Sequence, residues 1–152
     1  MNKETLHFKI TLSGTYFNNP PQYRVLLNDT EYASGTVNVP SDEDFFVEFE
    51  TEVNEDSTSK LKIVLQNKIK QDTVTENDNI IADTLLNIQN ISVDDIDLGI
   101  LLWTHSVYHL DEPCTYNNET VSQLKNCVNL GFNGTYEFEF GSPFYLWLLE
   151  NI

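Results

Sequence analysis

Regular alternation of apolar and polar side chains is the feature of this sequence that most restricts its fold. Every second residue from Leu6 to Leu12 is apolar, and Leu61–Leu65 repeats the pattern. A period of two places the apolar side chains on one face of a strand, as is typical of strands with one buried and one solvated face. The positions predicted to form the core are Leu6, Phe8, Ile10, Leu61, Ile63, Leu65, Ile88 and Phe138.

Short runs of this kind recur along the chain, separated by turn-forming segments such as Asn18–Pro21 and Pro40–Asp42. We count about eight to ten runs at a spacing of roughly 8–12 residues, which is the pattern of sandwiches and jelly rolls. No internal repeat or low-complexity linker interrupts them. The sequence therefore predicts one all-β domain over residues 1–152, an antiparallel β-sandwich or jelly roll.

Three segments depart from the alternation. Val121 and Leu124 are spaced as on a helix, which predicts one or two helical turns near residues 120–127. Ser142-Pro143 is a favourable helix start, and the apolar residues after it predict a short C-terminal helix. The aperiodic segment from Thr104 to Glu119 is predicted to be a long surface loop.

An excess of acidic side chains excludes two classes of partner. The 152 residues include 24 acidic and 8 basic ones, which gives a formal net charge of −16. Binding to nucleic acid or to an anionic membrane surface depends on lysine and arginine, so we expect neither. No run approaches the ~20 apolar residues of a membrane span. The alternating N-terminus also lacks the apolar core of a signal peptide, so no secretion signal is expected.

The familiar catalytic patterns are missing. The six glycines form neither GxGxxG nor GxxxxGK, and the sequence contains no GxSxG or HExxH. His7 lies on the polar face of a predicted strand, and an ordinary loop role is the favoured interpretation of His105 and His109. Cys114 and Cys127 are either free thiols or a disulfide, and both possibilities stay open. We therefore expect no enzymatic activity.

A polar excursion between two predicted strands is the best candidate for a metal site. Residues 72–83 concentrate carboxylates and amides, which supply the oxygen ligands that calcium prefers. If the loop folds back on itself, Asp72, Asp78 and Asp83 are the predicted ligands. The alternative is that these residues form solvated turns, because the spacing of an EF-hand is missing.

The predicted C-terminal helix has apolar residues all round. Phe144–Leu149 is an unbroken apolar and aromatic run, and a helix of this kind must be covered on more than one side. Phe144, Tyr145, Trp147 and Leu148 are therefore predicted to form a docking interface. The alternative is that the helix plugs the open end of the sandwich.

Two resemblances extend these interpretations. The segment FKITLSGTYFNNPPQYRVLLNDTEYASGTV resembles small calcium-dependent carbohydrate-binding jelly rolls of the xylan-binding type. From Lys60 onward, LKIVLQNKIKQDTV, SVYH and LGFNGTYEFEFGSPFYLWLLENI are similar to small virion-associated proteins of marine tailed phages, especially myoviruses of cyanobacteria. The resemblances imply a β-sandwich of carbohydrate-binding-module type carried on a virus particle.

Two functions are consistent with these resemblances. The favoured one is a non-enzymatic virion component, such as a capsid decoration, fibre or tail accessory protein. It would be made in the host cytoplasm and would bind other virion proteins or copies of itself. The alternative is a calcium-dependent carbohydrate-binding module that recognises surface glycans. The rings available to hold a sugar are Tyr16, Phe17, Tyr108 and Tyr116, although the same rings could cap the ends of the core.

Overall fold

Two antiparallel β-sheets packed face to face form the body of the protein. The computed structural model describes residues 2–116 and 118–152, except for the side chain of Tyr116. In chain order the strands are β1 (Lys3–Thr15), β2 (Gln22–Leu27), β3 (Thr30–Thr36), β4 (Phe45–Asn54), β5 (Thr58–Leu65), β6 (Val74–Glu76), β7 (Asn79–Ala82), β8 (Leu85–Val93), β9 (Ile96–Asp97), β10 (Ser106–Tyr116), β11 (Glu119–Lys125), β12 (Asn129–Leu130) and β13 (Gly134–Gly141). The helices are a 3₁₀ turn (Lys70–Asp72), α1 (Leu101–Thr104) and α2 (Phe144–Asn151).

The strands are divided between two large sheets and one hairpin. The first sheet has the order β12-β8-β1-β4, with β9 paired to β8, and the second has the order β11-β10-β13-β5-β2-β3. The hairpin β6-β7 forms a separate pair. All of these pairings are antiparallel. The predicted antiparallel β-sandwich is confirmed.

Apolar side chains of both sheets meet in one core. The residues that the alternation predicted for the core are all at most 3% exposed. Phe8 of β1 and Phe140 of β13 come from opposite sheets, and their ring centroids lie 6.0 Å apart. Burial of this apolar surface is the main term that stabilises the sandwich.

The helix predicted near residues 120–127 is a strand instead. β11 forms an edge of the second sheet and pairs with β10, with Leu124 opposite Tyr108. The register of this pair shifts between His109 and Cys114, so the half-buried positions of β11 do not alternate regularly. Pairing with β10 satisfies the backbone of β11, and this tertiary contact outweighs the helical spacing of its side chains.

The two ends of the sandwich carry different structures. At one end, which we call the helix end, Trp147 of α2 contacts His105 next to α1. At the opposite end, which we call the loop end, β5 finishes at Leu65 beside Gly134 at the start of β13. The connecting segments 66–73 and 131–133 therefore meet at the loop end, where the candidate site lies.

The predicted C-terminal helix is confirmed as α2, but its apolar residues do not all face outward. Phe144 is fully buried and Leu148 is 9% exposed, and both pack in the core of the chain itself. They are therefore not available for docking, which corrects the prediction for these two residues. Trp147 is half-buried against the same core, whereas Tyr145 and Leu149 are exposed. No helix within the described ranges is long and apolar enough to cross a membrane.

Candidate functional site

Residues at the loop end form an open cleft of about 500 Å³, which we call the outer cleft. Volumes of roughly 300–1,000 Å³ are typical of cavities that hold small molecules. Its lining residues are Lys68, Ile69, Lys70, Thr73, Asp111, Glu112, Gly131, Phe132 and Asn133.

A second cavity of about 300 Å³ adjoins the outer cleft, and we call it the inner pocket. Its own lining residues are Ile80, Asp83, Leu85, Tyr108, Leu124, Cys127 and Asn129. Lys68, Thr73, Gly131 and Phe132 line both cavities. These four residues therefore form a common wall between the outer cleft and the inner pocket.

Lys68 ties the walls of the two cavities together. Its Nζ atom donates hydrogen bonds to Asp83 Oδ1 and to the Gly131 carbonyl oxygen, both at 2.6 Å. Its backbone N–H donates to Asn133 Oδ1, and Asn133 Nδ2 donates back to the Lys68 carbonyl oxygen, both at 2.8 Å. One residue thus fixes the loop before β6, the base of the hairpin and the turn before β13.

Asp83 is the main acceptor of this arrangement. Its Oδ1 atom accepts hydrogen bonds from Lys68, from Thr73 Oγ1 at 2.7 Å and from the Thr84 backbone N–H at 2.9 Å. Burial alone would raise the pKa of Asp83, but these hydrogen bonds and the Lys68 charge outweigh burial and hold the pKa below its usual value. The carboxylate is therefore ionised at neutral pH.

The three carboxylates predicted to bind calcium are not brought together. Asp72 is 2% exposed and accepts hydrogen bonds from the Ile69 backbone N–H at 3.0 Å and from Asn19 Nδ2 at 3.3 Å. Asp78 lies at the tip of the β6-β7 hairpin, whereas Asp83 follows its base. Among the described residues, no three His, Cys, Asp or Glu side chains are grouped to hold a metal ion. These residues therefore do not fit a calcium site in this loop; Asp72 and Asp83 fix its conformation instead.

A close backbone approach positions the turn before β13. A Cβ atom at Gly134 would lie 2.3 Å from the His109 carbonyl oxygen, so only glycine allows the turn to come this near to β10. The Asp111 backbone N–H also donates to the Asn133 carbonyl oxygen at 3.0 Å. Phe132 and Asn133 are in this way held beside the acidic residues of β10.

Phe132 is the exposed aromatic residue of the common wall. Its side chain is 47% exposed, although it is large and apolar. Asp111 and Glu112 present exposed carboxylates to the same cleft, and Lys70 presents an exposed ammonium group. The outer cleft therefore combines an aromatic surface with hydrogen-bond donors and acceptors.

The aromatic residues predicted to hold a glycan lie in different places. Tyr108 lines the inner pocket. Tyr16 donates a hydrogen bond to the Val39 carbonyl oxygen and Phe17 is 49% exposed, but neither lines the outer cleft or the inner pocket. The side chain of Tyr116 lies outside the described residues. Phe132 was not among the predicted residues, although the Asn-Gly pair that follows it is a turn signal.

Tyr108 is a buried side chain that lines the inner pocket. Its side chain is 1% exposed, and its hydroxyl donates no hydrogen bond to any described residue. Burial raises the pKa of Tyr108, and the nearby Phe132 backbone N–H only partly opposes this rise, so the hydroxyl stays protonated. Since buried polar groups in proteins are nearly always paired, this O–H is a donor that still needs an acceptor.

We expect Tyr108→Phe to leave the free energy of unfolding unchanged or to raise it by about 1 kcal/mol, because it removes a buried hydroxyl that donates no hydrogen bond. Tyr136→Phe is the matched control, since the buried Tyr136 hydroxyl donates to the Leu102 carbonyl oxygen at 2.6 Å. That substitution should lower the free energy of unfolding by about 1 kcal/mol. Urea unfolding followed by circular dichroism measures both. Equal destabilisation by the two substitutions would show that the Tyr108 hydroxyl is paired after all.

The fold matches solved structures of carbohydrate-binding modules. One is vCBM60 in complex with galactobiose, with a TM-score of 0.54 and 14% sequence identity over 87% of this chain and 96% of that chain. Another is a selenomethionine form of vCBM60. Its description names circular permutation as an evolutionary link between two families of calcium-dependent carbohydrate-binding modules. That structure has a TM-score of 0.53 and 14% identity over 88% of this chain and 89% of that chain. No protein family and no curated protein matches the sequence.

These matches overturn the favoured functional interpretation of the sequence. The similar structures are carbohydrate-binding modules, and nothing in them connects this chain to a phage, to cyanobacteria or to a virion. The prediction of a virion structural protein was therefore wrong. The part of the resemblance that agrees with the fold is the likeness to carbohydrate-binding jelly rolls.

Proposed function

We propose that the chain is a non-catalytic carbohydrate-binding module that holds a glycan in the outer cleft. The observation that carries this proposal is the half-exposed Phe132, which stands among amide, carboxylate and ammonium groups in an open cleft of about 500 Å³. The similarity of the fold to vCBM60, whose solved complex contains galactobiose, supports it.

The outer cleft offers a partner for each kind of surface that a sugar presents. The C–H groups on one face of a sugar ring are apolar and pack against an aromatic side chain such as Phe132. The hydroxyl groups at the edge of the ring both donate and accept hydrogen bonds. Asp111 and Glu112 can accept from them, and Lys70 can donate to them.

The outer cleft is held in shape by contacts within the chain itself. Asn133 is bound to the Lys68 backbone through both its Oδ1 and its Nδ2 atoms, and the Lys68 side chain is bound to the Gly131 carbonyl oxygen. These bonds fix the residues on either side of Phe132. A preformed cleft loses little conformational freedom when a ligand binds, and this favours affinity.

The glycan is held in the outer cleft by side chains of the protein alone. The modules of similar fold are described as calcium-dependent, but in the described part of this chain the carboxylates of residues 72–83 do not form a ligand set. In the proposed complex, Asp111 and Glu112 act as hydrogen-bond acceptors for sugar hydroxyls. All binding experiments are therefore designed at one constant calcium concentration, so that the metal is not a variable.

We expect Phe132→Ala to weaken glycan binding about tenfold or more, because the lost contact with the sugar ring is worth at least about 1.4 kcal/mol. A glycan array first identifies the sugars that the wild-type chain binds. Isothermal titration calorimetry then compares the dissociation constants of the wild type and the variant. Because Phe132 is half exposed, its removal should change the free energy of unfolding by no more than about 0.5 kcal/mol.

Phe46→Ala is the matched control for this experiment. Phe46 is 55% exposed, lies on β4 and lines neither the outer cleft nor the inner pocket. Its removal should leave the dissociation constant unchanged. An array on which the wild type binds no glycan would contradict the proposed function, and equal affinities of wild type and Phe132→Ala would contradict the proposed site.

A further inference from the structure

The surface of α2 that faces away from the sandwich is apolar along the length of the helix. Phe144, Trp147 and Leu148 follow helical spacing and form an inner stripe that packs against the core. The opposite stripe, which we call the outer stripe, consists of Tyr145, Leu146, Leu149 and Ile152. These four side chains are between 48% and 80% exposed. A helix that is apolar all round needs cover on more than one side, and the protein itself covers only the inner stripe.

Carboxylates flank the outer stripe at both ends of the helix. At the first turn, the Tyr145 hydroxyl donates to Asp94 Oδ2 at 3.2 Å. The Phe144 backbone N–H lies 3.1 and 3.0 Å from the two carboxylate oxygens of Glu4. At the last turn, the side chain of Glu150 is exposed. Within the described part of the chain, Glu4, Asp94 and Glu150 form no ion pair, so the outer stripe lies between negative charges that are not neutralised.

The charge distribution disfavours a second copy of the chain as the occupant of the outer stripe. Residues 71–152 contain no arginine and only one lysine, Lys125 on β11. Lys3, the neighbour of Glu4 in the sequence, lies 3.9 Å from Glu52. Two copies that met at the outer stripe would bring their carboxylates together, and like charges across an interface oppose association. A partner with lysine or arginine beside apolar side chains has the complementary pattern.

We propose that the outer stripe binds an amphipathic helix of another protein, in which lysine or arginine residues flank an apolar seam. Leu146 and Leu149 pack against the seam, and the basic residues pair with Asp94 and Glu150. Tyr145, which the sequence predicted to be part of a docking interface, belongs to this surface. The helix end lies opposite the outer cleft, so the inference does not depend on the proposed function.

Fluorescence anisotropy with two labelled synthetic peptides tests the inference. The first is an amphipathic helix of about 18 residues with leucine on one face and lysine on the other, and the second has glutamate in place of each lysine. We expect the lysine peptide to bind the wild-type chain at least about tenfold more tightly than the glutamate peptide. Equal affinities for the two peptides, or no binding of the lysine peptide, would overturn the inference.

Substitution of the two leucines distinguishes the outer stripe from the general negative charge of the chain. Leu146→Ala combined with Leu149→Ala should weaken binding of the lysine peptide at least about tenfold, because both side chains become buried in the complex. Phe46→Ala, which truncates an exposed aromatic residue on β4, should keep the wild-type affinity. Wild-type affinity in the double leucine variant would overturn the inference. Circular dichroism melts confirm that the compared proteins are folded.

A matched pair of charge substitutions tests the role of the flanking carboxylates. Glu150→Gln should weaken binding of the lysine peptide about threefold at low salt and less at high salt, because salt screens exposed charges. Asp78→Asn removes the same charge at the exposed tip of the β6-β7 hairpin and should have a smaller effect. Equal effects of the two substitutions would contradict the assigned pairing with Glu150.

Sedimentation of the chain without a peptide tests the other occupants. A wild-type dimer that the double leucine variant does not form would identify the outer stripe as a self-association surface and overturn the inference. Cosedimentation of the wild type, but not of the double variant, with phosphatidylcholine vesicles would overturn it in favour of a lipid surface. We expect a monomer that stays in solution in both cases.

Discussion

Lys68→Met is expected to lower the free energy of unfolding by about 3 kcal/mol, because it leaves the Asp83 carboxylate poorly solvated and without its charged partner. In the wild-type chain the Lys68 side chain is 10% exposed, and its Nζ atom lies 2.6 Å from both Asp83 Oδ1 and the Gly131 carbonyl oxygen. Methionine keeps most of the apolar length of lysine, so the loss reports the charge and the hydrogen bonds. Urea unfolding of the wild type and the variant at pH 7 measures this change in the free energy of unfolding.

A second substitution shows whether the two charges act as a pair. Asp83→Asn in the Lys68→Met background removes the isolated carboxylate, so the double variant should be more stable than Lys68→Met alone. A double-mutant cycle gives the interaction energy between Lys68 and Asp83. If the effects of the two single substitutions simply add, the two residues are not coupled and the role assigned to Lys68 is wrong.

The same pair predicts the direction of a pH dependence. Since hydrogen bonds and the Lys68 charge hold the pKa of Asp83 below its usual value, the native state binds this proton less readily than the unfolded chain does. The contribution of Asp83 to stability is therefore complete above the ordinary carboxyl pKa of about 4 and is lost as the pH falls through the lowered pKa. The difference in unfolding free energy between wild type and Lys68→Met should accordingly shrink below about pH 4.

Phe144→Ala is expected to lower the free energy of unfolding by about 3–5 kcal/mol, because it empties a fully buried position at the helix end. The Phe144 ring centroid lies 5.8 Å from that of Phe140 and 6.0 Å from that of Trp147, so its removal leaves a cavity among packed rings. Leu149→Ala in the same helix is the matched control, since Leu149 is 69% exposed and should change stability by about 0.5 kcal/mol or less. Thermal melts compare the two variants. Equal melting temperatures would show that α2 is not part of the core.

The strands could be predicted from the sequence wherever their burial is regular. A strand with one buried face needs an apolar residue at every second position, and Leu6–Leu12 shows this rule without help from other segments. β10 and β11 could not be predicted in this way, because their pairing changes register between His109 and Cys114. One of these strands was predicted to be a loop and the other a helix. The hydrogen bonds that make them strands come from neighbours that the local sequence does not reveal.

The candidate site could be predicted only in part, because its residues act through distant partners. Asp83 and Tyr108 were both selected from the sequence, and both line the inner pocket. The role of Asp83 depends on Lys68, fifteen positions earlier in the chain, and this partner makes it one half of an ion pair and not a calcium ligand. Phe132 was not selected, because its position in the common wall depends on the close approach of the next turn to β10.

The separation of the two ends has a consequence for optical measurements. Both tryptophans of the chain, Trp103 in α1 and Trp147 in α2, lie at the helix end, whereas the outer cleft and the inner pocket lie at the loop end. Tryptophan emission responds to the immediate surroundings of the indole ring, so we expect it to report the unfolding of the helix end and to stay unchanged on the proposed binding of a glycan at the loop end. Fluorescence should therefore follow the stability of the protein in the presence of a test glycan, while the proposed binding is measured by calorimetry or by NMR signals of Phe132.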